Sequence, residues 1–383
     1  MKEKIIVLVL SLFTCCALAQ DIVLSDQAEI SVITCGPGQE AVFTAFGHSA
    51  FRVVDPVNNI DAAFNYGVFD FNQPNFYLNF ARGHNQYRLA VQDYKQFAYT
   101  YEYYNRYVHE QLLNLTPFQK QKVFDYLVWN SHPENQYYLY DYFYNNCATK
   151  LPEIILNIFG DSVTFDSSYI TTQYSIRELT DQYLTYQPWG DLGIDICLGM
   201  PMDKKATPFE YMFLPDYVES GFDHAFINEK PLVKEKRIVY ESRPEVFRNS
   251  FFQPLYLFSI FAFLTIGITL YDFKRKKIAK WFDVILFGGI GAVGLLLFLL
   301  WVATDHRAAA NNMNLAWALP SHLIVAFALF KKRNWVKKYF VGIMVLNILL
   351  LASWAWLPQM LHYTLIPVVL ALSIRSFAQY RLS

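Results

Sequence analysis

The sequence predicts an α+β domain followed by an all-α transmembrane bundle of about five helices. Three observations predict it. A short export signal opens the chain, an aromatic and polar stretch mixes strand-like alternation with capped helices, and the last third is almost continuously apolar. The 383 residues carry a formal net charge of -1, which leaves no bulk electrostatic case for a nucleic-acid partner. Hydrophobic residues make up 54% of the chain, and their crowding beyond Phe252 assigns them to a bilayer rather than to one large core.

Residues 1–19 read as a signal peptide. Lys2 and Lys4 form its basic end, Ile5 to Phe13 its apolar core, and Ala17-Leu18-Ala19 its cleavage site. Residues 20–251 then form the exported domain and residues 252–383 the membrane domain. Beyond the signal stand Cys35, Cys147 and Cys197. The exported compartment permits disulfides. A Cys35–Cys197 bridge and two ordinary buried thiols are both open readings.

In the exported domain, alternation gives strands at Ala28 to Thr34, Ser49 to Val54 and Ala62 to Phe71. Asn58-Asn59 suits a hairpin turn between the last two. Tyr87 to Val91 reads as a strand, Asp93 to Tyr104 as a helix, and Tyr107 to Leu115 as a weakly patterned strand. Thr116-Pro117 opens a helix that runs to about Ser131. Ser175 to Glu178 and Thr207 to Glu210 are capping-box patterns, and residues 225–228 and 232–240 suit a closing hairpin.

The five apolar segments lie at about 255–271, 282–303, 315–330, 339–357 and 361–374. Lys274 to Lys280 follow the first segment, and Lys331 to Lys338 follow the third. Both loops are basic, which puts them in the cytoplasm together with the C-terminus. The exported domain and the loop 304–314 fall on the opposite side. Gly288-Gly289-Ile290-Gly291 lies inside a span and reads as helix packing.

The chemistry centres on Tyr144-Asn145-Asn146-Cys147-Ala148-Thr149-Lys150. Leu151, Ile154, Ile155, Ile158 and Phe159 follow at helical spacing. Asn145 or Asn146 caps that helix and puts Cys147 in its first turn, where partial positive charge favours the thiolate. Pro152 is expected to kink the helix or delay its start. His48, in Phe46-Gly47-His48-Ser49 at the mouth of a strand, is the best base for a cysteine nucleophile. His84, His109, His132 and His224 have no comparable setting, and a buried structural cysteine beside an unrelated histidine is the competing reading. Asn65 and Asp70 are candidates to orient His48. Tyr66, Arg82 and Tyr87 are candidate walls of the site. No metal-ligand spacing or phosphate-binding glycine loop occurs, and no cofactor is implied. In the outer loop, Asp305, His306, Asn311 and Asn314 either contact a lipid headgroup or form a solvated turn.

The blocks Phe46 to Val53, Phe64-Asn65-Tyr66-Gly67 and Asn146-Cys147-Ala148-Thr149 resemble the Lnb-type periplasmic domain of Bacteroidota. The resemblance covers essentially the whole chain, including Asp305-His306 and Asn314 to Pro320. A histidine that precedes an Asn-Cys helix start is similar to permuted papain-like folds, including relatives of lecithin:retinol acyltransferase. The resemblance implies an apolipoprotein N-acyltransferase of the inner membrane. Cys147, His48 and Asn65 would then be catalytic, and Asn146, Tyr66, Arg82, Asp305, His306 and Asn314 would contact substrate. The donor would be a membrane phospholipid and the acceptor a diacylated apolipoprotein. Two rivals stand beside this reading. A papain-like peptidase or amidase acting on cell-wall peptide would keep full activity as a soluble fragment. A non-catalytic envelope scaffold would tolerate Cys147→Ser.

Overall fold

The computed structural model describes residues 22–69, 71–245, 251–331 and 333–383. The signal segment and Asp70 lie outside the described residues. The exported domain is built on a seven-stranded antiparallel sheet. Its strands are β1 (Glu29–Cys35), β2 (His48–Asp55), β3 (Ile60–Val68), β4 (Gln86–Asp93), β5 (Val108–Leu113), β6 (Tyr137–Leu139) and a late strand, Val233–Tyr240, that closes one edge. The order across the sheet places β2 between β1 and β3, and β4 beyond β3. Alternation sends Val32, Phe51, Val53, Phe64 and Tyr66 to one face, and Ile33, Cys35, Ala50 and Ala63 to the other.

Both faces are covered by helices. The first face buries the main core beneath α3 (Pro117–Ser131) and α4 (Cys147–Phe159), with Val123, Leu127, Leu151, Ile154 and Ile155 inward. The second face is packed by α2 (Tyr94–Tyr103) through Tyr94 and Phe97. Ahead of these lies α1 (Phe76–Arg82), a short helix whose two ends are set by left-handed residues, Asn75 and Gly83. The Thr116 hydroxyl accepts from the Gln119 amide and caps α3. Pro152 sits inside α4 without delaying its start. It removes only the bond that its nitrogen would have made to the Ala148 carbonyl.

The segment after α4 folds into α5 (Ile176–Tyr183), α6 (Pro188–Cys197) and α7 (Pro215–Asp223). Arg177 is fully buried there. Its guanidinium donates to Asp195 at 2.7 Å, to Asp203 at 2.9 Å and to the Leu198 carbonyl at 2.9 Å. These bonds tie α5 to the end of α6 and pair one buried guanidinium with two carboxylates.

The membrane domain comprises α8 (Pro254–Arg275), α9 (Lys280–Val302), α10 (Ser321–Ala328), α11 (Asn334–Ser353) and α12 (Ile366–Leu382). Among the described residues, four segments are long and apolar enough to cross a bilayer: Pro254–Arg275, Lys280–Val302, Asn334–Trp356 and Tyr363–Leu382. The expected span at 315–330 is not one of them. It is a 3-10 turn, Met313–Ala316, then a break that includes Pro320, then the eight residues of α10. This broken element is held directly against α9. A Cβ on Gly294 would lie 1.8 Å from the Ala318 carbonyl oxygen, and one on Gly291 would lie 2.5 Å from the Leu323 nitrogen. Irregular backbone is tolerated at such depth because protein, not lipid, surrounds it.

The last helix runs beyond the expected end at Ile374. Arg375 lies buried inside the bundle, 2.6 Å from Asp283 on α9 and 2.9 Å from Asp272 on α8. Gln379 donates to the same Asp283 at 2.5 Å. The charge that marks a span's end in the sequence is therefore paired within the helix bundle.

Candidate active site

Cys147 is the first residue of α4. The Asn146 side chain accepts from the amides of Ala148 at 2.8 Å and Thr149 at 2.9 Å, while its own amide donates to the carbonyls of Tyr142 and Phe213, each at 2.8 Å. Asn146 is buried and spends its hydrogen-bonding capacity on this cap. It is not free to meet substrate, contrary to the expectation from sequence. The cap fixes the start of the helix, and with it the positive end of the helix dipole, at the residue that carries the sulfur. Gly67, at φ +86°, lies alongside, and a Cβ there would stand 3.4 Å from that of Cys147. A glycine suits this backbone conformation, and the cysteine lies in ordinary contact with the end of β3.

His48 opens β2 and faces α2, where Tyr101 stacks on its ring at 6.1 Å and 13°. Its Nε2 lies 2.6 Å from Asn65 Oδ1, and the Asn65 amide in turn donates to Gln92 Oε1 at 3.1 Å. The Gln92 bond orients the asparagine with its carbonyl toward the histidine. An acceptor at Nε2 requires the proton there, which leaves Nδ1 for the thiol. Gln92, Tyr101 and Gly67 were not singled out from the sequence. Their roles come from strand register and from the packing of α2 on the sheet.

The electrostatics separate the three thiols. Burial alone would raise the Cys147 pKa, but the charge and hydrogen bond of His48, with the backbone amides of Ser49 and Ala148, pull it below that of an ordinary thiol. Burial would lower His48, but the Cys147 thiolate and the bonds to Cys147 and Asn65 raise it. Burial pushes Cys35 and Cys197 up. All three are free thiols in the structure, so Cys35 and Cys197 are not bridged.

Alkylation should report this pairing. The rate of Cys147 reaction with iodoacetamide is expected to rise at a pH below the value of about 8.5 typical of a free thiol. His48→Ala removes the groups that lower the thiol pKa, so its profile should move to higher pH. Coincident profiles for the two proteins would refute the pairing.

The other residues singled out from the sequence fall elsewhere. Tyr66 is in the core and donates to Asn130 Oδ1 at 2.6 Å, so it does not line the site. Asn314 is buried, donates to the Ile196 carbonyl at 3.2 Å, and accepts from Trp317 Nε1 at 2.9 Å. It is part of a joint between domains rather than a headgroup contact. Arg82 is exposed on α1, and its carbonyl accepts from the Asp305 amide at 3.0 Å. The Asp305 carboxylate meets His84 at 2.6 Å, and His306 Nε2 donates to the Phe80 carbonyl at 2.9 Å. These bonds of Asp305 and His306 run to the segment around α1, not to Cys147. His109 pairs with Glu219 at 3.1 Å, and His224 Nδ1 donates to the Ser220 carbonyl at 2.8 Å. Among the described residues no group of three or more His, Cys, Asp or Glu side chains is placed to hold a metal.

A thiol, an imidazole and an amide thus converge on a sheet-and-helix domain that is joined to a multi-pass membrane domain. Residues 18–187 match the Lnb N-terminal periplasmic domain, and residues 246–383 match the Lnb transmembrane domain. The chain belongs to the Lnb family, with its N-terminal domain in the periplasm. No curated protein and no solved structure matches it.

Proposed function

We propose that this protein is an apolipoprotein N-acyltransferase with a cysteine nucleophile and a permuted papain-like catalytic domain. The observation that carries the reading is the Cys147–His48–Asn65 constellation on a periplasmic domain joined to membrane spans. The Cys147 thiolate attacks the ester carbonyl of a phospholipid. The Ser49 amide, which reaches the sulfur, is the donor that would stabilise the oxyanion of the tetrahedral intermediate. Collapse breaks the ester C–O bond, His48 protonates the departing alkoxide, and a lysophospholipid leaves with the acyl group held as a thioester. The α-amine of a diacylglyceryl-cysteine then attacks the thioester. His48 takes the amine's proton, and the thiolate departs to leave an amide. Asn65 keeps the imidazole in the required tautomer through both halves.

The joint favours this reading over a soluble-substrate peptidase, which would have no use for a site fixed to the bilayer. The basic loops Lys274–Lys280 and Lys331–Lys338 support a cytoplasmic C-terminus in a protein of the inner membrane, an orientation that has the broken element around α10 cross as well, and a reporter fused after Ser383 tests it. The activity itself is tested with the full chain in phospholipid vesicles. Mass spectrometry of a diacylated lipopeptide should show one added acyl chain on its α-amine, with lysophospholipid formed in equal amount. Cleavage of the peptide without acyl gain would favour the peptidase instead.

A further inference from the structure

We infer that α1 and the aromatic residues ahead of it dip into the outer leaflet and guide a lipid acyl chain to Cys147; this rests on the acyltransferase reading above. The helix has seven residues, Phe76-Tyr77-Leu78-Asn79-Phe80-Ala81-Arg82, and none of them is buried. Phe71 is 59% exposed, Tyr77 77%, Leu78 54% and Phe80 53%. A helix this short is marginal in water by itself. A contiguous apolar face on it marks a surface that something apolar covers.

The membrane domain sets the height of that face. α9 ends at Val302, and three residues later the Asp305 amide bonds the Arg82 carbonyl. His306 bonds the Phe80 carbonyl, and His84 pairs with Asp305. A Cβ on Gly83, at φ +78°, would stand only 3.3 Å from the backbone of Asp305 and His306, so the two segments run in close contact. The end of a membrane span is at the bilayer surface, which puts α1 there too. Arg82, exposed in its last turn, adds a cation suited to phosphate headgroups. The covering surface is therefore the lipid leaflet itself.

From this face a run of aromatic rings leads inward. Phe80 neighbours Phe76 at 6.5 Å, Phe76 neighbours Phe69 at 6.1 Å, Phe69 neighbours Tyr87 at 5.0 Å, and Tyr87 stacks on Tyr140 at 4.1 Å. A Cβ on Gly67 would touch both the Tyr140 ring, at 3.9 Å, and the Cys147 Cβ. The rings form a continuous apolar track between the exposed face and the nucleophile. An acyl chain laid along it leaves the leaflet without crossing water.

The experiment uses the full chain in phosphatidylethanolamine vesicles, with a fluorescent amino acid incorporated at Leu78. Lipid brominated along its acyl chains should quench the probe. Tyr77→Asp with Leu78→Asp should lower acyl transfer from vesicle lipid on the order of 100-fold, the scale set by misplacing a substrate. Leu78→Phe, which keeps the face apolar, should retain the rate and so separates a lipid contact from a folding defect. Absence of quenching, or quenching only by an acceptor lipopeptide, overturns the inference. Quenching judges the position of α1 even in a protein that transfers no acyl group, so failure of the acyltransferase reading is told apart.

Discussion

Cys147→Ala is expected to abolish the proposed acyl transfer, with a loss on the order of a million-fold, while the protein still folds and inserts. The size follows from the role: without the thiolate no thioester forms, and the remaining amide can only polarise a carbonyl. The side chain is half-buried at a helix start whose cap, Asn146, is unchanged by the substitution, so little stability is at stake. His48→Ala should cost nearly as much, and the double variant scarcely more than either alone, because groups acting as one unit are not additive. Asn65→Ala should cost less, since it frees the imidazole's orientation without removing it. The assay is transfer of a labelled acyl chain in vesicles, with thermal unfolding as the control for folding. Independent, additive losses for Cys147 and His48 would show that the two do not share a step.

The residues that form this centre were legible because each has a local signature. An asparagine before a cysteine and a helical apolar stripe marks a capped helix start. Gly47, which adopts φ +79°, marks the turn that delivers His48 to the mouth of β2. Asn65 lies one hairpin away on the paired strand. The misread positions have no such signature. Asn146 and Asn314 are polar residues whose partners are backbone carbonyls, and a sequence does not distinguish an amide bonded to a carbonyl from one awaiting a ligand. The helix α1 escaped notice because left-handed Asn75 and Gly83 bound it and its apolar residues face no core. The length of α12 was hidden because Arg375 marks an end only when Asp272 and Asp283, some 90 to 100 positions away in sequence, are out of reach.

Residues 22–245 tethered to an unrelated single span should lose transfer on the order of 100-fold or more, although Cys147, His48 and Asn65 are all retained. The reason lies at the end of α6. The last carbonyls of a helix lack partners within it. Here the membrane domain supplies them: Asn312 donates to the Ile196 carbonyl at 2.7 Å, Asn314 to the same carbonyl at 3.2 Å, and Gln359 to the Leu198 carbonyl at 2.9 Å. The Met360 amide donates to Asp203 at 2.8 Å, and His362 meets Asp191 at 3.1 Å. Leu192 of α6 packs into the core of the membrane domain. Each hydrogen bond contributes only about 0.5–1.5 kcal/mol, but together they fix one domain against the other. That geometry sets where Cys147 stands relative to the lipid ester, and misplacement by about 1 Å is enough for a 100-fold loss. Gln359→Ala combined with Asn312→Ala in the full chain should reproduce part of the effect. Alkylation of Cys147 by iodoacetamide should stay near the wild-type rate in both the swapped-anchor protein and the double variant, because it needs no lipid. If the swapped-anchor protein transfers acyl chains from vesicle lipid as fast as the full chain, the membrane domain is a tether alone and the joint has no part in positioning.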